Sequence, residues 1–137
     1  MRITLQQAQA AIAAALTAAE STGERVSVAV IDAGGHLIAF ARMDRAGLAS
    51  LETALGKAFA SVSTGAPTVE LAPLIQPGQP LFGMTIASSR SMVMMAGGLP
   101  VEFDGELIGA IGTGGARSSG RDHEISVAGL TEMSAQR

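Results

Sequence analysis

The chain has 137 residues, a length typical of one folded domain of roughly 100–150 residues, and a formal net charge of −3. It contains no cysteine, which excludes a disulfide scaffold, a thiolate zinc site, an iron–sulfur cluster and a cysteine nucleophile. Its nine Lys and Arg residues are spread along the chain and it has no Trp or Tyr, so we expect no nucleic-acid binding. Because only 15% of its residues are charged and 47% are hydrophobic, we expect apolar surface to be buried in a homo-oligomer.

The first predicted element is an alanine-rich amphipathic helix that Thr4 caps and Gly23 ends. Its apolar stretch, residues 8–19, is shorter than the roughly 20 residues that span a bilayer. Polar residues interrupt both ends of this stretch, and it lacks the pattern of a secretory signal. The sequence therefore predicts no membrane association and a cytoplasmic protein.

Two β-hairpins and three further helical segments follow in chain order. We predict strands at 25–32 and 36–43 around Ala33-Gly34-Gly35, followed by a helix at 48–64 and a helical turn at 69–74 with Thr68 as its cap. A loop at 76–89 leads to a buried strand at 90–96. The second hairpin pairs 101–103 with 106–112 across Asp104-Gly105, and the last helix covers 122–135 with Asp122 as its cap. This order predicts a single-domain α+β fold over residues 1–137, with a mainly antiparallel sheet and helices packed against it.

No strong catalytic motif is present: the chain has no GxxxxGK[ST], HExxH, GxSxG or EF-hand loop. Gly112-Thr113-Gly114-Gly115 lacks the GxGxxG spacing of a dinucleotide loop. No metal site is predicted, since two histidines and scattered carboxylates would have to be brought together by the fold.

The two histidines have different expected roles. His36 follows a glycine turn, and a local hydrogen bond at the start of the hairpin is its favoured interpretation. His123 lies in Asp122-His123-Glu124 at the start of the last helix, beside a glycine-rich loop. It is either a residue of the helix end or a general base, metal ligand or haem ligand.

Several cations are candidates for holding an acidic group. Arg42 and Asp44 lie where a strand leaves the sheet, and Arg90 follows the long loop. An arginine there either grips a carboxylate or, in the case of Arg42, pairs with Asp44 and shapes the turn. Lys57 is a solvated lysine if its side chain reaches water, and an acid/base or anion-binding group if it is buried.

The methionines at positions 84, 92, 94 and 95 give one segment a soft apolar wall. Packing in the core or in an interface is the favoured explanation, and the lining of a pocket for a flat ligand is the alternative.

The chain resembles the GlcG/HbpS-like haem-binding family, also known as the haem-degrading domain and related to the C-terminal domain of PduO. The resemblance is carried, in chain order, by AVIDAGGHLIAFARMDRA, Gly56-Lys57-Ala58, Pro67-Thr68, GGLPVEFDGELIGAIGTGG and Asp122. It covers nearly the whole chain, and its motifs are mostly structural glycines and hydrophobic residues, which specify a fold better than an activity.

The resemblance implies a profilin-like fold with a five-stranded antiparallel sheet flanked by helices, and a homo-oligomer from tetramer to octamer. It implies binding of haem or another small molecule near the glycine loops and the subunit interface. By position, the family's RMD step is matched by Arg42 and Asp44, its helical lysine by Lys57, and its GGxP loop by Gly97, Gly98 and Pro100. The chain departs from the family at Gly112–Gly115, where a GVSG-like segment is usual, and at His123, which is added to an acidic pair.

Three functions follow as hypotheses. The first is a small-ligand-binding protein that takes haem or another planar or anionic metabolite at an oligomer interface. Its ligand-binding residues would be Arg42, Asp44, Arg90, Gly97, Gly98, Thr113 and Gly114, with Met94, Met95 and His123 in the pocket wall.

The second hypothesis is a cofactor-independent isomerase, lyase or hydratase that acts on a small carboxylate-bearing substrate. His123 would be its acid/base, Glu124 or Asp122 would orient His123, and Lys57 or Arg42 would fix the substrate carboxylate. The third is a structural or assembly subunit without a ligand.

Overall fold

The computed structural model describes residues 1–136. Its elements are α1 (Leu5–Ser21), β1 (Ser27–Asp32), β2 (Leu37–Arg42), α2 (Leu48–Thr64), α3 (Thr68–Leu71), β3 (Gly98–Phe103), β4 (Glu106–Gly114) and α4 (Ser119–Ala135). Two short 3-10 helices, Ala72–Ile75 and Met84–Ile86, lie between α3 and β3.

The four strands form one antiparallel sheet in the order β2-β1-β4-β3. Both predicted hairpins are present, β1 with β2 and β3 with β4, and β1 joins them by pairing with β4. Ser27 at the start of β1 lies opposite Arg42 at the end of β2 and Gly114 at the end of β4. These three strand ends therefore meet at one end of the sheet, and the predicted α+β class with an antiparallel sheet is confirmed.

Helices cover both faces of the sheet. Val28 and Val30 pack with Ile111 into a core that α1 and α4 close on one face. Ile31 and Ala110 pack on the other face against α2. Strand β1 is thus buried on both sides, as its nearly continuous apolar sequence predicts.

Glycines in the sheet let the backbone of α2 lie directly on β4. A Cβ atom at Gly112 would overlap the Ala54 carbonyl oxygen and lie 2.7 Å from the Ala58 amide nitrogen. A Cβ atom at Gly114 would collide with the Thr53 hydroxyl group and lie 2.9 Å from the Ala54 amide nitrogen. This close approach leaves no room for solvent between helix and sheet, so even a polar side chain on this side of α2 is buried.

At the free edge of β3, two residues have no backbone N–H group available for a further strand, and this edge is called closed below. The Gly98 amide donates a hydrogen bond to Thr68 Oγ1 at 2.8 Å, and Pro100 has no amide hydrogen to offer. The sequence predicted Thr68 as the cap of α3, and this is wrong. Pro67 occupies the cap position, and the Thr68 side chain binds the edge of the sheet.

The predicted buried strand at 90–96 is wrong, and so is the five-stranded sheet that it would complete. This segment lies across α2, where the Val93 amide donates to the Gly56 carbonyl at 3.1 Å. Met94 is buried against Ala60 and Leu71. Of the apolar residues that suggested a strand, Met94 is therefore buried against helices, whereas Met95 is exposed. The edge of β3 next to this segment offers it no ladder to join.

The predicted cap of the last helix is also wrong. The helix begins at Ser119, and Ser118 is the cap, with extended backbone and a side-chain oxygen that accepts from the Arg121 amide. Asp122 lies inside the first turn and faces the protein interior.

We predict that Gly112→Ala destabilises the fold by about 2 kcal/mol or more, because the added methyl group would push α2 away from β4. The matched control is Gly120→Ala, since Gly120 lies in the first turn of α4 and a Cβ there meets nothing closer than 3.8 Å. We expect that variant to be neutral or more stable by about 0.5 kcal/mol. Urea unfolding followed by circular dichroism measures both, and equal stabilities for the two variants would contradict the explanation.

Candidate functional site

A buried ion pair links the helices of the two faces at one end of the sheet. Lys57 extends from α2 and Asp122 from the first turn of α4, and Lys57 Nζ lies 2.9 Å from Asp122 Oδ2. Both residues are almost fully buried, with 2% and 3% of their surface exposed. Of the two alternatives for Lys57, the structure shows the buried one.

Gly97 makes room for this ion pair. A Cβ atom at Gly97 would lie 2.9 Å from Lys57 Cδ and 3.0 Å from Asp122 Cβ, and its φ of +134° is a conformation that other residues rarely adopt. Gly98 lies against the Lys57 backbone carbonyl. Gly97, which precedes β3, and Gly98, its first residue, therefore leave the space through which Lys57 reaches Asp122.

A chain of hydroxyl groups fixes the Gly97 backbone. Ser126 Oγ donates to the Gly97 carbonyl at 2.7 Å. Thr113 Oγ1 lies 2.7 Å from Ser126 Oγ and must donate to it, since the Ser126 hydroxyl hydrogen is already used. Thr113 and Ser126 are both fully buried, so the backbone beside Lys57 is held by hydrogen bonds that solvent does not reach.

The Asp122 carboxyl group is protonated more readily in this pair than the carboxyl group of an exposed aspartate. Burial raises the pKa of Asp122. The hydrogen bond and charge of Lys57 act in the opposite direction, and so does the Ala116 amide, which donates to Oδ1 at 3.0 Å. Within residues 1–136, Asp122 is the one acceptor that Lys57 Nζ contacts. An ammonium has three donors, so two of them are left for another acceptor.

A surface depression of about 310 Å³, hereafter the Lys57 cavity, opens onto this pair. Its wall includes Lys57, Asp122, Met95, Ser50, Thr53 and Ser119. The start of α4 also faces it, so hydroxyl groups, the first turn of a helix and a buried ammonium surround one small volume.

A second ion cluster holds the loop that borders the Lys57 cavity. Glu24, which is 2% exposed, accepts the Arg117 amide at 2.9 Å and the Arg117 guanidinium at 3.1 Å, and Arg121 lies 3.4 Å away. Burial alone would raise the pKa of Glu24, but the Arg117 hydrogen bonds and the two guanidinium charges outweigh it and lower the pKa. The predictions from sequence missed this cluster, because its members are 93 residues apart.

The structure separates the residues of the predicted catalytic group. His123 is half-buried, and its Nδ1 atom is buried without a hydrogen-bond partner among residues 1–136. Glu124 is exposed, and Asp122 uses its two oxygens on Lys57 and Ala116. No hydrogen bond joins His123 to either carboxylate in the described part of the chain, so the structure gives no support to the expected orienting contact.

The predicted arginine contacts lie away from the Lys57 cavity. Arg42 donates to the Ala46 carbonyl at 3.1 Å, not to Asp44, and both residues border other depressions at the surface. Arg90 donates to the Gly35 carbonyl at 2.6 Å and lies 4.0 Å over the Phe59 ring. Since Gly35 is in the β1–β2 turn, Arg90 is at the opposite end of the sheet from Lys57.

The predicted glycine-loop residues do come together. Lys57 is contacted by Gly97 and Gly98, and the start of α2 by Gly114. Thr113 is linked to Gly97 through the Ser126 hydroxyl group. Of the two methionines expected in a pocket wall, Met95 is exposed and lines the Lys57 cavity, whereas Met94 is buried in the core. His36 contacts Asp32 locally, at 3.5 Å, as favoured.

One sequence signal for the site is simple. Lys57 is the only lysine of the chain, and the other eight basic residues are arginines. Among residues 1–136 it is also the one lysine or arginine that is buried. No group of three His, Asp or Glu residues suited to a metal ion occurs among residues 1–136, and no helix in that range is long and apolar enough to cross a membrane.

We predict that Asp122→Asn destabilises the protein by about 3 kcal/mol, because it leaves the Lys57 charge buried without a carboxylate. The double variant Lys57→Met with Asp122→Leu should recover part of this loss, since it removes both charges. Glu20→Gln is the control, because its pair with Arg25 is exposed and spans 3.9 Å. Urea unfolding of the four proteins tests this, and a double variant no more stable than Asp122→Asn would count against it.

We predict that Glu24 contributes to acid unfolding. Its pKa is lowered in the folded state, so its contribution to stability is present above the ordinary pKa of 4.5 and is lost as the pH falls through the lowered value. Glu24→Gln should therefore reduce the loss of unfolding free energy with falling pH below pH 4.5. Glu52→Gln, at an exposed position of α2, should leave this pH dependence unchanged. Thermal unfolding over a pH series measures the slopes, and parallel curves for wild type and Glu24→Gln would refute the assignment.

Known structures are similar to this chain over nearly its whole length. ORFY of Klebsiella pneumoniae is 33% identical with a TM-score of 0.93, and 98% of this chain and 93% of that chain are covered. The PduOC:haem complex is 30% identical with a TM-score of 0.91 and coverages of 96% and 95%. A double mutant of HbpS from Streptomyces reticuli is 37% identical with a TM-score of 0.86 and coverages of 96% and 86%.

Curated relatives extend beyond the matched region. An uncharacterised 15.0 kDa protein of Citrobacter freundii is 36% identical over 90 residues, which are 66% of this chain and 63% of that protein. The chain spans 40% of the corrinoid adenosyltransferase PduO of the same organism, at 29% identity over 136 residues. The model of a family described as "Haem degrading protein HbpS-like" matches residues 3–131. The chain belongs to the HbpS-like family, the GlcG/HbpS-like group that its glycine-framed segments resemble.

Proposed function

We propose that this protein binds a small acidic ligand in the Lys57 cavity, with haem as the first candidate. One observation carries the proposal: the only lysine of the chain is buried, lines this cavity and has ammonium hydrogens that the pair with Asp122 does not use. An acidic group placed there would meet a cation in surroundings of low polarity, where charge-assisted hydrogen bonds are strong.

The residues around the cavity suit one edge of a haem molecule. Haem carries two propionate groups, and Lys57 could donate a hydrogen bond to one of them. The exposed thioether of Met95 lines the same cavity and would be the group that holds the haem iron, since methionine sulfur is a known ligand of haem iron. When bound, haem would supply iron-centred redox chemistry.

His123 suits the role of iron ligand less well than Met95. A ligating histidine normally donates its second ring N–H to a carboxylate, a carbonyl or water. If Nε2 of His123 held the iron, the proton would be on Nδ1, which is buried without a partner in the described chain. We therefore give Met95 the role that the sequence suggested for His123.

The size of the cavity limits how haem could bind to one protomer. About 310 Å³ is at the small end of ligand sites, so the cavity would hold the acidic edge and leave much of the ring outside. Binding at an interface between copies of the chain, as the family resemblance implies, would cover the rest of the ring.

A catabolic enzyme acting on a small carboxylate-bearing compound is the second candidate, and the raised pKa of Asp122 beside Lys57 favours it. In that case, the Lys57–Asp122 pair would be the acid/base group, since it borders the cavity and its members are in contact. Glu124 and Arg42 would have no part in it, because they lie outside the cavity wall.

We predict that haemin binds with a shift of its Soret band, and that haemin dimethyl ester binds at least about tenfold more weakly because it cannot form a charge-assisted hydrogen bond with Lys57. Met95→Leu should change the position of the bound Soret band. Met84→Leu is the matched control, because Met84 packs in a separate cluster with Leu71 and Met94.

Absorption titrations with both porphyrins measure these effects. No shift with haemin in the wild-type protein would exclude haem, and equal affinity for haemin and its ester would exclude a role for the acidic groups. A bound spectrum that Met95→Leu and Met84→Leu change alike would exclude Met95 as the iron ligand.

A further inference from the structure

We propose that Lys57 is an amine nucleophile that forms an imine with a small aldehyde or 2-oxo acid bound in the Lys57 cavity. This inference rests on the proposed ligand site and gives it a covalent chemistry. It is carried by the identity of the one buried cation among residues 1–136, by its contact with Asp122 and by the cavity that opens onto both.

The choice of lysine at this position is informative. Arginine fills eight of the nine basic positions, and arginine is usually better suited to a buried pair with a carboxylate because it bonds through two nitrogens. Lysine differs in having an amine that can lose its proton and attack a carbonyl carbon. The chain thus has its only lysine at the position where that property would be used.

The surroundings of the pair allow the proton to move. Lys57 Nζ and Asp122 Oδ2 are 2.9 Å apart, a hydrogen-bond distance, and little solvent reaches either. Transfer of one proton from Nζ to Oδ2 converts two buried charges into a neutral amine and a neutral carboxyl group. Burial raises the pKa of Asp122, which favours this neutral form.

The reaction balances within the pair and the ligand. The neutral amine attacks the carbonyl carbon, one proton passes from nitrogen to the former carbonyl oxygen, and a carbinolamine results. The Asp122 carboxyl group then protonates the hydroxyl group, which leaves as water while the C=N bond forms. The product is a protonated imine on Lys57 beside an Asp122 carboxylate, so the site regains the pair of opposite charges with which it began.

The cavity suits a carbonyl compound of a few heavy atoms. Its volume is about 310 Å³, and the Ser119 hydroxyl group in its wall can donate a hydrogen bond to an oxygen atom of such a ligand. The hydroxyl hydrogens of Ser50 and Thr53 are already donated to the carbonyls of Gly47 and Ala49. Lys57 is almost fully buried, so water reaches the product less easily than it reaches an imine at the surface.

Reductive trapping tests the proposal on the full chain. The folded protein is incubated with glyoxylate and sodium cyanoborohydride at pH 7, and peptide mass mapping locates the carboxymethyl group that reduction leaves. The chain offers two primary amines, Lys57 Nζ and the α-amine of Met1. In unfolded chains α-amines are less basic than lysine amines, so an α-amine is the one expected to react first in the absence of a folded site.

We expect Lys57 to be labelled faster than the Met1 α-amine in the folded protein, and the order to reverse in urea, where the pair with Asp122 is lost. Lys57→Arg should remove the internal label and keep a cation at the site. Glycolaldehyde, which lacks the carboxylate, replaces glyoxylate in a second arm and shows whether the acid group contributes to the rate.

Labelling of Met1 ahead of Lys57 in the folded chain would overturn the proposal, whether or not the variants fold. The two proposals fail separately. If haemin binds through its propionates but Lys57 is not trapped, the covalent step is wrong and the ligand site stands. If Lys57 is trapped but haemin and its ester bind equally, the imine stands and the acidic-ligand function is wrong.

Discussion

The contact between the backbone of α2 and the glycines of β4 is the constraint on which the rest of this structure depends. Gly112 and Gly114 leave no gap between helix and sheet, and this closeness buries the side of α2 that carries Lys57. A buried ammonium needs a partner, and the first turn of α4 supplies Asp122 from the other face of the sheet. The packing of one helix therefore determines where the opposite helix must begin and where the charged site lies.

Local sequence patterns predicted most of the fold, because most of its elements follow local rules. The hairpin across Asp104-Gly105, the cap at Thr4 and the bounds of α2 were predicted correctly, since each depends on residues close in sequence. The segment 90–96 was not, because an apolar run does not reveal whether a sheet or a helix will bury it. Asp122 was misplaced for a related reason: a carboxylate at a helix start has the chemistry of a cap, and its partner is 65 residues away.

The candidate site was only partly predictable from the sequence. The family motif drew attention to Lys57, Gly97 and Gly98, and the structure brings these three residues together. The arginines were harder to interpret, because a guanidinium beside a turn binds a backbone carbonyl as readily as a ligand; Arg42 and Arg90 both do so. The role of Glu24 depends on contacts with Arg117 and Arg121 that only the folded chain creates.

The closed edge of β3 has a consequence for how copies of this protein could join. Gly98 has already given its amide to Thr68 and Pro100 has none, so another strand would find no regular ladder along that edge. At the opposite edge of the described sheet, β2 carries the uncharged sequence LIAFA between residues 37 and 41. A sheet that continued from one molecule to the next would therefore pair β2 with β2 of a second copy. Such a sheet would end after two molecules, because the described sheet of each molecule has one edge of this kind.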